Sequence, residues 1–173
     1  MNRLTLDTED RVFFYEQEFY MLSNFSSFRI NWEEPYGVFD FDTSEHAYHF
    51  LRFPKGSEHR ANILNARSAH EAFRYAQDNK KHQVEWWDKP SEGGRLFKVV
   101  KMKQVLWQKV EQHEYVKRKL LETGDRMLIE NSWRDGFWGW GPNRDGQNWL
   151  GVLWMEIRTV LKRRSNNEAK VYD

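Results

Sequence analysis

The sequence predicts a mainly α-helical domain carrying a few short N-terminal β-strands. Residues 12–19 (VFFYEQEF) and 36–41 (YGVFDF) are short runs rich in aromatic and β-branched side chains, the usual material of strands. From residue 43 the apolar spacing turns helical and stays so over most of the chain. Ser, Thr, Gly and Pro then punctuate the helical stretches where caps and stops belong.

Taken in order, SNFSSFRI between the two aromatic runs reads as a turn followed by a brief extended stretch. Ser44 is a suitable N-cap for a first helix that runs to about Phe53, where Pro54 ends it. Ser57 can cap a second helix, and Ser68-Ala-His-Glu71 is a capping box opening a third, which runs to about Lys80. HQVEWWDKPSEGG is a loop. Helical spacing returns from Leu96 to Glu111, with Leu96, Val99, Val100, Met102, Val105 and Leu106 as its apolar face. A short helix follows to Thr123, with Gly124 as its C-cap. Ile129 to Asn148 is irregular, and a last helix runs from about Gln147 to Arg164. No repeat or linker interrupts the chain. The expected organisation is an N-terminal arm (1–11), one domain (12–164) and a polar C-terminal tail (165–173).

Composition narrows the function. There is no cysteine, which removes disulfides, thiolate nucleophiles and Cys-type zinc sites. Met1 to Asp10 is polar and acidic, unlike a signal peptide, and no apolar run reaches the roughly 18 residues of a membrane span. A cytoplasmic protein with no membrane partner is expected. A net charge of +1 makes the whole chain a poor electrostatic magnet for nucleic acid, so its basic clusters read as solvated helix faces. Nine tryptophans stand out, because aromatic rings both fill cores and stack on bases.

Two segments could carry chemistry. In TSEHAYHFLRF, Glu45, His49 and Arg52 stand at i, i+4 and i+7 and share one helix face, bordered by Tyr48. Such a row is either an exposed polar stripe or a pocket wall with acid/base and anion-binding groups. The other is residues 130–151: five of the nine tryptophans fall between Trp133 and Trp154, and Gly136, Gly139, Gly141 and Gly146 interleave with them. Long structured loops of this kind are usually functional, although an aromatic mini-core is the plain alternative. Asp135 lies among these aromatics, a setting that suits acid/base work. Glu45 and His49 have metal-ligand spacing, but no third ligand accompanies them, so neither a metal nor a cofactor is expected.

Taken together, SNFSSF, TSEHAYHFLRF, the helix KVVKMKQVLWQKVEQH, LLETGDRMLIENSWRDGFWGWG and GQNWLGVLWMEIR resemble the YbiA-like, or NADAR, family over roughly residues 12–162. The resemblance implies a mainly helical hydrolase of N-glycosidic bonds. Its implied substrates are a ribosylaminopyrimidine phosphate of riboflavin synthesis, or ADP-ribose on guanine in nucleic acid. Carried over residue by residue, Glu45 and Asp135 are the expected catalytic carboxylates. Asn24, Ser44, His46, His49, Arg52, Trp138, Gly139, Trp140, Gly141 and Asn148 are the expected substrate-binding positions. Leu150 and Gly151 complete the pattern. Arg52 departs from it, standing where the family usually has lysine. An arginine stays charged and binds anions but offers no amine nucleophile, which leaves Lys98, Lys101 and Lys109 as stand-ins. A non-catalytic module binding ADP-ribose or NAD is the competing reading, and oligomeric state is left open.

Overall fold

The computed structural model describes residues 6–169, which hold six α-helices, two two-stranded sheets and two 3-10 turns. The mainly helical class is therefore as expected. Residues 1–5 of the expected arm and 170–173 of the expected tail lie outside the described residues. The contacts divide the chain into two units, one of Asn24–His113 and one of Met1–Ser23 with Glu114–Asp173.

The Asn24–His113 unit opens with a hairpin. Strands β2 (Ile30–Glu34) and β3 (Gly37–Phe41) pair antiparallel, with Ile30 opposite Phe41 and Glu34 opposite Gly37. Helices α1 (Ser44–Leu51), α2 (Glu58–Leu64), α3 (Ala69–Asp78) and α4 (Phe97–Gln112) follow. Their starts are set locally. The Ser57 hydroxyl accepts from the Arg60 N–H at 3.3 Å. Ser68 accepts from the Glu71 N–H at 3.1 Å, while the Glu71 carboxylate accepts from the Arg67 N–H at 2.8 Å. For α1 the capping residue is Thr43, one position before the serine expected there, and Ser44 is the first helical residue. Leu51, not Phe53, ends that helix. Helix α1 touches α2, α3, α4 and both hairpin strands, so all eight of its residues are buried. Removing Phe50 and Leu51 from water stabilises this arrangement by about 1.5–3 kcal/mol per side chain.

In the other unit, strands β1 (Arg11–Phe14) and β4 (Met127–Glu130) pair in parallel, Val12 opposite Leu128. Helix α5 (Glu114–Glu122) precedes β4 and helix α6 (Trp149–Ala169) ends the described chain. Leu150, Leu153, Trp154, Ile157 and Leu161 form the buried stripe of α6, and the Trp154 indole N–H donates to the Leu22 carbonyl at 2.8 Å. At Gly151 helix and strand come so close that a Cβ would lie 2.0 Å from the Leu128 carbonyl oxygen.

Other boundaries differ from expectation as well. The first strand stops at Phe14, and Tyr20–Leu22 form a 3-10 turn. The expected arm gives Arg11 to that strand. Helix α6 continues five residues past Arg164, because SNNEA holds neither glycine nor proline to stop it. Strand β4 was not expected: Met127 and Leu128 follow the expected fifth helix, and Ile129 and Glu130 open the stretch expected to be irregular. Among the described residues no helix is long and apolar enough to cross a membrane.

Candidate active site

The polar row on α1 is a buried one. Glu45, His49 and Arg52 are 6%, 3% and 5% exposed, which discards the solvated-stripe alternative. Burial of this kind needs partners. Glu45 Oε1 and His49 Nε2 are 2.8 Å apart. With Glu45 ionised its oxygen can only accept, so the shared hydrogen belongs to Nε2. The backbone N–H of Glu45 donates to the Asn24 carbonyl at 3.1 Å, which ties the SNF segment to the first turn of α1. That turn also places the Glu45 charge where the helix dipole favours it.

Several polar atoms here are buried without a hydrogen-bond partner: Asn24 Oδ1, Ser44 Oγ and His49 Nδ1. Native proteins leave few such atoms, and these three lie on one short helix and its neighbouring loop. His46 is different. Its Nε2–H donates to the Ala66 carbonyl at 3.1 Å, and Nδ1 accepts from the Thr43 hydroxyl at 2.8 Å. Both ring nitrogens are thus engaged inside the unit.

Arg52, at the C-terminal end of α1, donates through Nε to Gln83 Oε1 at 3.0 Å. Desolvation by burial lowers its pKa, yet a guanidinium stays protonated throughout the working range. The Tyr48 hydroxyl is pushed well above the ordinary tyrosine range, first by desolvation, with Glu45 and Asp88 adding to it and Arg52 opposing. Of the stand-in amines, Lys109 is fully buried and donates to the Ser26 hydroxyl at 2.8 Å, whereas Lys98 pairs with Asp88. Lys101 is half-buried, and desolvation lowers its pKa.

A cleft of about 630 Å³ opens in the same unit, and Thr43, His46, Arg67, Ser68 and His70 are among its lining residues. Glu45, His49 and Arg52 do not line it. Its rim arginine, Arg29, already pairs with Asp42 at 3.3 Å.

The loop after β4 belongs to the other unit and is held by its own side chains. Asp135 Oδ1 accepts from the backbone N–H groups of Phe137 and Trp138, both at 2.8 Å, closing an Asx turn. Trp138 packs edge-on against Phe137 with centroids 5.0 Å apart, and Trp140 tilts onto Phe13 at 5.3 Å. Asn148 sits at φ 52°, a conformation asparagine tolerates, and binds β4 from both ends. Its Oδ1 accepts from the Glu130 N–H at 3.0 Å and its Nδ2 donates to the Leu128 carbonyl at 2.8 Å. Gly139 and Gly141 have no room for a side chain: a Cβ would lie 2.7 Å from the Glu130 oxygen and 2.9 Å from Gly136 Cα. The expected residues therefore fall into two sets. Asn24, Ser44, Glu45, His46, His49 and Arg52 gather on and around α1, and Asp135, Trp138, Gly139, Trp140, Gly141 and Asn148 build the loop.

Gln83 was missed by sequence reading, being one polar residue in a polar loop with no spacing to mark it. Among the described residues no cluster of three or more His, Asp or Glu side chains could hold a metal ion.

Comparison with known proteins agrees with the fold. The NADAR domain family profile matches residues 13–162. N-glycosidase Npun_R5314 of Nostoc punctiforme is 31% identical over 156 residues, covering 87% of this chain and 92% of that protein. N-glycosidase YbiA of Escherichia coli is 32% identical over 119 residues, 69% of each chain. The riboflavin biosynthesis protein VVA0006 of Vibrio vulnificus is 31% identical over 71% of this chain but only 31% of its own length. The solution structure of E. coli YbiA superposes with a TM-score of 0.76 at 27% identity, over 94% of this chain and 92% of the other. With a profile match across most of its length and the fold to go with it, the chain belongs to the NADAR domain family.

Proposed function

We propose that the protein is an N-glycosidase that hydrolyses the ribosyl C–N bond of a phosphorylated ribosyl substrate. The observation that carries this is the buried Glu45–His49 pair on α1, in a chain whose relatives are named N-glycosidases. Breaking the bond leaves positive charge on the sugar, the nitrogen takes the electron pair and a proton, and water adds at C1. Glu45 is the carboxylate that meets the developing charge or takes the proton from water. His49 donates through Nε2 and holds Glu45 in one rotamer. Asn24 and Ser44 offer a carbonyl and a hydroxyl to the substrate. For Asp135, the second expected carboxylate, Oδ1 is tied into its own loop, which leaves Oδ2 as its oxygen for proton transfer. Asn148 and the loop glycines shape that segment, while Trp138 offers a face to a base.

Two substrates fit this chemistry, a phosphoribosylated aminopyrimidine and ADP-ribose on guanine. The protein, treated with chelator, is incubated with each, and mass spectrometry follows release of ribose phosphate or ADP-ribose. Release from one alone names the substrate. Arg52 in place of lysine favours a second reading, a module that binds ADP-ribose without cleaving it. Binding of ADP-ribose with no release from either substrate is the result that would install it.

A further inference from the structure

We propose that Arg52 is an anion subsite, clamped in place by Gln83, that takes the phosphate of the ribosyl substrate. The subsite rests on the N-glycosidase reading for its ligand but not for its geometry. Arg52 is only 5% exposed as a residue, and a cation so enclosed calls for a counter-charge. None of the described carboxylates forms an ion pair with Arg52. The two acids that act on it electrostatically are both held elsewhere. Glu45 binds His49. Asp88 takes Gln83 Nε2 on Oδ2 at 2.7 Å and Lys98 Nζ on Oδ1 at 2.8 Å.

Those contacts form a chain from Lys98 to Arg52. Lys98 fixes Asp88, Asp88 fixes the amide of Gln83, and the Gln83 oxygen fixes Arg52 Nε. The amide therefore has one orientation, with nitrogen toward Asp88 and oxygen toward Arg52. Such a clamp holds one edge of the guanidinium and leaves Nη1 and Nη2 without a hydrogen bond to any described residue. Neither is among the fully buried unpartnered atoms, so each keeps some exposure. Two parallel N–H donors with a fixed positive charge are the geometry that grips a phosphate in bidentate fashion. Arg52 is thus the binding group and Gln83 a positioning residue.

The test titrates the intact protein with ribose 5-phosphate, ribose and inorganic phosphate by calorimetry. Ribose 5-phosphate should bind at least tenfold more tightly than ribose, and Arg52→Gln should remove that preference. Gln83→Ala should weaken ribose 5-phosphate several-fold and raise KM for a phosphorylated substrate with kcat unchanged, as a loosened clamp predicts. The double variant Gln83→Glu with Asp88→Asn keeps the hydrogen-bond chain but gives Arg52 its own carboxylate, and should also lose the phosphate preference. Near-UV circular dichroism confirms that each variant is folded. Should Arg52→Gln not fold, the double variant and Gln83→Ala carry the same comparison. Equal affinity for ribose and ribose 5-phosphate, or a preference that survives in folded variants, overturns the subsite even if glycosidase activity is present. Arg52-dependent binding without cleavage of any ribosyl substrate leaves the subsite standing and removes the activity.

Discussion

Glu45 and His49 meet at 2.8 Å inside a helix with no exposed residue, and both side chains are less than one-tenth exposed. The pair is thereby screened from bulk water, so a charge that develops beside it meets little competing solvent.

Replacing Glu45 by glutamine keeps the shape and removes the charge. Activity is expected to fall by about 10²–10⁴-fold, the usual range for a positioned acid/base group. Single-turnover hydrolysis of whichever ribosyl substrate the protein cleaves is the measurement. Full activity in Glu45→Gln would falsify the catalytic assignment.

Asn148 holds β4 through two buried hydrogen bonds. Asn148→Ala leaves the Glu130 N–H and the Leu128 carbonyl unpaired and keeps a left-handed backbone without the residue that tolerates it. A loss of about 2–5 kcal/mol is expected from urea unfolding. A change under about 0.5 kcal/mol, the scale of an ordinary surface substitution, would mean that this side chain does not support the loop.

The close approach at Gly151 gives a sharper contrast. An added Cβ meets the Leu128 carbonyl oxygen at 2.0 Å, so Gly151→Ala forces helix and strand apart and should destabilise by about 3 kcal/mol or more. At Gly93 nothing lies within 4 Å, and Gly93→Ala should stay within about 0.5 kcal/mol of wild type. Thermal melts of the pair decide it, and equal melting temperatures would contradict the packing described.

Asp88 sets a pH dependence. Burial raises its pKa, but hydrogen bonds from Lys98 and Gln83 outweigh that and hold the carboxyl below its ordinary value. A depressed folded pKa contributes stability that is fully present above the unfolded value, ~3.9, and is lost as pH falls through the folded one. Asp88→Asn should therefore melt below wild type at neutral pH, and the gap should close as the solution is acidified well past ~3.9. A gap that widens on acidification has the wrong sign and removes Asp88 from the clamp.

What could be read from the sequence follows from how local each feature is. Ser57 and Ser68 cap their helices with atoms three residues away, so a short window contains the whole reason. The Glu45, His49 and Arg52 row was legible as a spacing. Its burial was not, because that depends on α2, α3, α4 and the hairpin closing over α1. Strand β4 needs a partner at residues 11–14, and four residues of MLIE say nothing of it. Gln83 lies in the same class, since its role comes from Arg52 and Asp88 together. Asp135 was legible as a polar residue among aromatics, but its service as the closing acceptor of a turn appears only with coordinates.

The parallel pairing of β1 with β4 has a consequence for biosynthesis. As the chain leaves the ribosome, Arg11–Phe14 emerges with its backbone groups unpaired and its partner not yet made. At about 5–20 residues per second, Met127–Glu130 follows on the order of ten seconds later. During that interval the whole Asn24–His113 stretch is available to fold as a contiguous piece, whereas β1 waits as an aromatic segment with an open edge. Pausing within that interval, or truncation before residue 127, would prolong the exposure, and the nascent protein would lean most on holding chaperones before Met127–Glu130 is translated.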